Sequence, residues 1–142
     1  MRRALLMLGI CLFAACSSSP SAPSTPPPAS VVGNWSGTWQ ATQTTGGPYL
    51  IAYVMNLNQS GSTVSGTWST AQANGTVSGA TTSSSFSGTL TWNGSSVGGT
   101  ACTGSLAVSG SAGGQTVTWT SPAVTGNCGN LPTSITIAAQ LR

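Results

Sequence analysis

From Val31 onward, apolar and polar residues alternate with a period of two, the spacing of a half-buried strand. Residues 34–42 put Trp35, Gly37, Trp39 and Ala41 on one face, and Asn34, Ser36, Thr38, Gln40 and Thr42 on the other. Residues 49–58 align Tyr49, Ile51, Tyr53, Met55 and Leu57. Residues 63–70 align Val64, Gly66 and Trp68, and residues 84–92 align Phe86, Gly88, Leu90 and Trp92. Four further runs, 74–79, 102–110, 115–121 and 133–141, bring the predicted strands to eight. Turn-forming pieces separate them: Gly46-Gly47-Pro48, Gln59-Ser60-Gly61-Ser62, Asn93-Gly94-Ser95 and Ser111-Ala112-Gly113-Gly114. After the N-terminal segment no stretch repeats apolar residues at helical spacing, so no helix is predicted there.

Eight short strands with mostly tight turns predict an all-β domain, a single small antiparallel up-and-down barrel with a small β-sandwich as the alternative. A repeated phrase favours the barrel: Ser36-Gly37-Thr38-Trp39, Ser65-Gly66-Thr67-Trp68 and Ser87-Gly88-Thr89-Leu90, the last running on to Trp92. Glycine there permits the coiling that a closed sheet needs, or makes room for a neighbour's indole. Gly33-Asn34-Trp35 and Gly37-Thr38-Trp39 resemble the G-x-W opening of calycins, the lipocalin and avidin superfamily. That resemblance covers the first strand and implies an eight-stranded meander barrel. The chain departs from it in two ways: no room for a lipocalin-type helix follows Ser121, and the acidic residue that avidins direct toward biotin is missing.

The N-terminus reads differently. Met1-Arg2-Arg3 precedes an apolar run from Ala4 to Ala15, about 18 Å long as a helix and so short of a roughly 30 Å hydrocarbon core. The run ends Leu12-Phe13-Ala14-Ala15-Cys16, which resembles the lipobox of bacterial lipoproteins, with Phe13 in place of the usual Leu. The resemblance implies a signal peptide over residues 1–15, cleavage before Cys16, diacylglycerol on the Cys16 sulfur and an acylated amine. The alternative is an ordinary secretory signal. Residues 16–32 would form a Ser/Pro-rich tether, since prolines there lock φ and remove donors. Ser17, rather than Asp, after the cysteine resembles the outer-membrane sorting signal of diderm bacteria. The barrel domain is then residues 33–142, anchored to the envelope through its lipid.

Charge narrows the chemistry sharply. Arg2, Arg3 and Arg142 are the only charged side chains among 142 residues, while Ser and Thr make up about 31%. No carboxylate pair, Ser-His-Asp triad, Lys Schiff base or His/carboxylate metal site can be assembled. An enzyme is therefore not expected, and neither is a cofactor beyond the lipid on Cys16. Without a basic patch there is no expectation of nucleic-acid binding.

Cys11 falls in the signal and Cys16 in the lipobox, leaving Cys102 and Cys128 as a predicted disulfide in an exported domain. Such a bridge closes a 27-residue loop over the connection at 122–132, worth about 3–4 kcal/mol. The sequons at Asn34, Asn58, Asn74 and Asn93 are expected by chance in so Ser/Thr-rich a chain. All five tryptophans fall on the inward phase, which makes them core residues first. Trp39, Trp68 and Tyr53 are also candidates to line a barrel mouth that takes a small apolar or sugar-like ligand. Alternatives are a structural β-protein that associates with copies of itself through strand edges, or a barrel-type hydrolase inhibitor.

Overall fold

The computed structural model describes residues 23–43, 47–95, 101–129 and 131–142. The signal segment and Cys16 lie outside them. Every described element is a strand: β1 (Gly33–Thr42), β2 (Tyr49–Ser60), β3 (Thr63–Ser69), β4 (Ala73–Thr81), β5 (Ser85–Ser95), β6 (Ala101–Ser111), β7 (Thr116–Ser121), the two-residue β8 (Thr125–Gly126) and β9 (Ser134–Leu141). Neighbours pair antiparallel from β1 to β7 in chain order; β9 then joins β7 to β1 and closes the ring. The result is an eight-stranded up-and-down barrel, the first of the two predicted architectures.

The register fixes the barrel's shape. Ala41 pairs with Ile135, and Ile135 with Ser121. Continuing through Val108, Gly88, Gly79, Val64 and Gln59, the same row returns to the first strand's line at Val31, ten residues from its start. With eight strands, such a stagger tilts them by roughly 35–45° and leaves an interior that side chains fill. Inward positions are the alternating ones read from the sequence. Trp35, Trp39, Tyr53, Met55, Trp68, Phe86, Leu90, Leu106, Trp119 and Ile137 form one buried cluster.

One segment differs from the pattern. Residues 122–132 were expected as an irregular connection, yet β8 pairs Gly126 with Gly104 and Thr125 with Ser105 on β6. It continues β7 along the same neighbour with the register displaced by one residue. Pro122 lacks a ladder donor, which explains why β7 breaks at Ser121 before pairing resumes.

The two ends of the barrel are unlike. At the end where β1 begins, residues 29–31, placed with the tether by composition, belong to the fold. Val31 is fully buried, the Ala29 N–H donates to Thr82 O at 2.7 Å, and Trp35 Nε1 donates to Val31 O at 2.9 Å. Gln59 ties the segment down: Oε1 accepts from Val31 N at 3.0 Å, and Nε2 donates to Ala29 O at 3.0 Å and Thr81 Oγ1 at 3.1 Å. The same end carries tight turns, with Gly61 in the left-handed region at φ 59 between β2 and β3. The opposite end carries the longer connections.

Replacing Gln59 by Ala strands the Val31 amide and the Thr81 hydroxyl together. A loss of about 1–3 kcal/mol is expected in urea unfolding followed by tryptophan fluorescence. An unchanged midpoint would mean that residues 29–31 are held by Val31 burial alone.

Candidate functional site

Wide rings fit a narrow interior only where the opposing backbone is bare. Phe86 lies over the paired glycines Gly79 and Gly88, where a Cβ would come within 2.7 and 2.6 Å of its Cζ. On its other side it stacks against Trp119, with centroids 4.2 Å apart and planes 25° from parallel. Trp68 lies over Gly75, and Trp92 over Gly104 and Gly126. The sequence assigned glycines 37, 66 and 88 both to the coiling of a closed sheet and to seating indoles, and the structure keeps the first role and corrects the second. Gly88 seats a phenyl ring. Gly37 and Gly66 seat no indole: a Cβ there would collide with the carbonyls of Ala138 and Asn56 on adjacent strands. Their role is the close strand approach that coiling demands.

The three candidate ligand residues come together near the loop-bearing end. Trp39 is placed by β1, Tyr53 by β2 as its diagonal neighbour, and Trp68 by β3. Ring centroids of Trp39 and Trp68 are 4.5 Å apart, and those of Trp39 and Tyr53 5.9 Å. All three are buried, at 6%, 4% and 3% exposure respectively. They are therefore core as well as candidate site. The partly buried Tyr49, Ile51 and Leu131 pack against the wider core, and Ile51 is the cross-strand partner of Trp39.

Hydrogen bonding separates the members of this cluster. Trp68 Nε1 donates to Thr91 O at 2.9 Å. Trp39 Nε1 and the Tyr53 hydroxyl are buried and have no partner among the described residues. Burial also pushes the Tyr53 phenol well above its ordinary range, and raises that of Tyr49 as well. Both are neutral at physiological pH, so the cluster offers hydrogen-bond donors and aromatic faces with no charge.

Cys102 and Cys128 form the disulfide expected from their spacing, with Cα atoms 5.1 Å apart. It fastens the connection after β7 to the start of β6 on this same end. Cys128, Val124 and Leu131 pack against the core, and the Thr133 N–H donates to Thr42 O at 2.7 Å. The connection is thus a strap across part of the mouth, rather than a free loop.

Sequence reasoning missed one feature. A concavity of about 550 Å³ crosses the outer wall of β1 to β4, lined by Asn34, Val54, Asn56, Ser69, Asn74 and Arg142. Pairing of β9 with β1 brings Arg142 there, where its Nε donates to Ser36 Oγ at 2.7 Å. The outward phase of these residues was legible, but the concavity depends on how the strands coil. Its amides already bond each other, Asn56 Nδ2 donating to Asn34 Oδ1 at 2.6 Å, and the site is open to water. Compared with protein-family models, with curated proteins and with solved structures, the chain matches none.

Two measurements follow from the unpaired atoms. Tyr53→Phe removes a buried hydroxyl without a partner, so stability should hold or rise, by up to about 1–3 kcal/mol. Trp68→Phe deletes a made bond and ring volume, and should lower stability; a larger loss for Tyr53→Phe than for Trp68→Phe would show that the hydroxyl is satisfied. The pH profile is the second. A phenol raised by folding stabilises the folded state fully below its unfolded value of about 10, and that contribution is lost as pH rises beyond it. With no Asp, Glu or His side chain in the chain, urea midpoints should be flat from pH 5 to 8 and fall only above about pH 10. A transition between pH 5 and 8 would contradict this.

Proposed function

We propose that this chain is a non-catalytic lipoprotein of the bacterial cell envelope, anchored through Cys16, whose calycin-like barrel takes up a small ligand at its loop-bearing end. The observation that carries the binding reading is the gathering of Trp39, Tyr53 and Trp68 into one uncharged aromatic cluster there, opposite the end plugged by residues 29–31. Anchoring rests on the lipobox-like Leu12-Phe13-Ala14-Ala15-Cys16 and the Ser/Pro-rich stretch after it. Two acyl chains on the sulfur and a third on the amine hold a membrane firmly, where one chain binds only marginally. Burial raises the phenols of Tyr49 and Tyr53, away from the neutral range that general acid–base catalysis uses.

The tether joins the barrel at its plugged end, so the loop-bearing end is held on the side away from the bilayer. A ligand then arrives from the aqueous space.

Mass spectrometry of the mature N-terminus should show a triacylated Cys16, and Cys16→Ser should move the protein from the membrane to the soluble fraction. Cleavage elsewhere would remove the anchoring reading. In vesicles carrying the lipidated protein, a bilayer-depth quencher should reach a dye coupled at Ser84→Cys before one at Gln72→Cys. For binding, the neutral probe N-phenyl-1-naphthylamine should quench tryptophan fluorescence saturably. A linear, non-saturating response would overturn the ligand reading while leaving the anchor intact.

A further inference from the structure

Five indole and phenol groups of the core show how this fold handles buried donors. Trp35, Trp68 and Trp119 each give their Nε1 proton to a backbone carbonyl, of Val31, Thr91 and Ser111, always at 2.9 Å. The plug, β5 and the last residue of β6 supply those acceptors. Trp39 Nε1 and the Tyr53 hydroxyl are the exceptions, although both residues are more than nine-tenths buried. They sit side by side on β1 and β2, with ring centroids 5.9 Å apart. An unmade buried hydrogen bond destabilises the fold. Two on adjacent strands, in a core that supplies carbonyls to Trp35, Trp68 and Trp119, mark a place where an acceptor from outside is called for.

The chemistry of that acceptor is constrained. An indole N–H donates and never accepts, so the group facing Trp39 must be an acceptor. Tyr53 stays a neutral phenol and can donate to the same atom or to a second one. The surroundings are apolar: the Trp68 and Trp39 ring centroids lie 4.5 Å apart, and Ile51 pairs across from Trp39. Arg142, the single charged side chain of the barrel domain, gives its Nε proton to Ser36 Oγ, and its main-chain N–H donates to Asn34 O near the start of β1, toward the plugged end. A charge brought into the cluster would therefore be desolvated without a counter-ion among the described residues.

We propose that the loop-bearing end recognises a small uncharged molecule with an apolar body and a carbonyl-type oxygen, the oxygen accepting hydrogen bonds from Trp39 Nε1 and the Tyr53 hydroxyl. This rests on the ligand-binding reading above and gives it a chemical class. Entry displaces side chains at the loop-bearing end and not the strands, because each long strand is paired on both sides round the closed ring.

Three probes that share one ring system separate the possibilities: 2-acetylnaphthalene, 2-ethylnaphthalene and 2-naphthoate. Each is titrated into the mature full-length chain with tryptophan fluorescence and the ¹⁵N-indole resonances as readouts, Trp39 being assigned with Trp39→Phe. The ketone is expected to bind at least tenfold more tightly than the hydrocarbon and to shift the Trp39 indole proton downfield. The carboxylate should bind at least tenfold more weakly than the ketone. Tyr53→Phe should remove most of the ketone's advantage over the hydrocarbon. If ketone and hydrocarbon bind equally and the Trp39 proton does not move, the oxygen-recognition proposal is overturned and the apolar-ligand reading stands. If none of the three binds, both fall. A long-lived water found by magnetisation transfer to the Trp39 indole proton, undisturbed by the ketone, would assign the donors to solvent and also overturn the proposal.

Discussion

The register that carries Ala41 round eight strands to Val31 sets the tilt of every strand and the width of the space between them. Into that space the chain directs five tryptophans, a phenylalanine and Tyr53. Rings of this size cannot interdigitate across so narrow a barrel if every opposing position carries a Cβ. Bare backbone at Gly75, Gly79, Gly88, Gly104 and Gly126 is what lets Trp68, Phe86 and Trp92 lie flat against the wall. Each such glycine weakens its own strand. The loss is offset by the area that an aromatic ring buries, and by closure itself, which pairs each of the eight long strands on both sides.

The same stagger explains why the fold starts before β1. A row that returns to Val31 leaves that residue in phase with the interior, and the segment ahead of it crosses the opening between β1, β2 and the β4–β5 turn. Gln59 is the inward-phase residue at the end of β2, too polar for a core and too long for a turn. Its amide supplies the donor and acceptor that the crossing segment needs. One end of the barrel is thereby closed by backbone and amide, and the other by aromatic rings and a disulfide-fastened strap. That asymmetry gives the molecule a direction.

Period-two alternation located all eight long strands, because each has one face in the core and one in water, and the inward set from Trp35 to Ile137 was readable residue by residue. The Cys102–Cys128 bridge was legible by counting. Trp39, Tyr53 and Trp68 were legible as candidates, since inward phase and ring size are properties of the sequence. Their mutual distances were not, because they depend on the stagger. The unpartnered state of Trp39 Nε1 was invisible for the same reason, since the stagger decides which backbone carbonyls an inward indole meets. Gln59 was read as part of a turn, since nothing local distinguishes an amide that caps a barrel from one that faces solvent. β8 was hidden behind Pro122, whose local preference argues for a loop even where pairing resumes three residues on.

A domain with one charged side chain also had few other ways to be a β-protein. Sheets usually guard their edges with lysines, inward charges or bulges that repel or deflect a second copy. This chain has no lysine and no acidic residue to place there. Joining β9 to β1 removes the edges instead, so the strand-addition route to self-assembly, open to a flat sheet of this composition, is closed off along the ring. What remains outside is a wall of hydroxyls and amides that satisfy one another across strands, as Thr76 and Thr91 do at 2.7 Å and Ser105 and Thr125 at 3.2 Å. Such a wall is hydrated, with Arg142 as its one charged side chain among the described residues. The chain has no Asp, Glu or His side chain whose titration would alter these hydrogen bonds between pH 5 and 8. In the described part of the molecule, the Trp39 and Tyr53 donors are where an unmet hydrogen bond and an aromatic surface coincide.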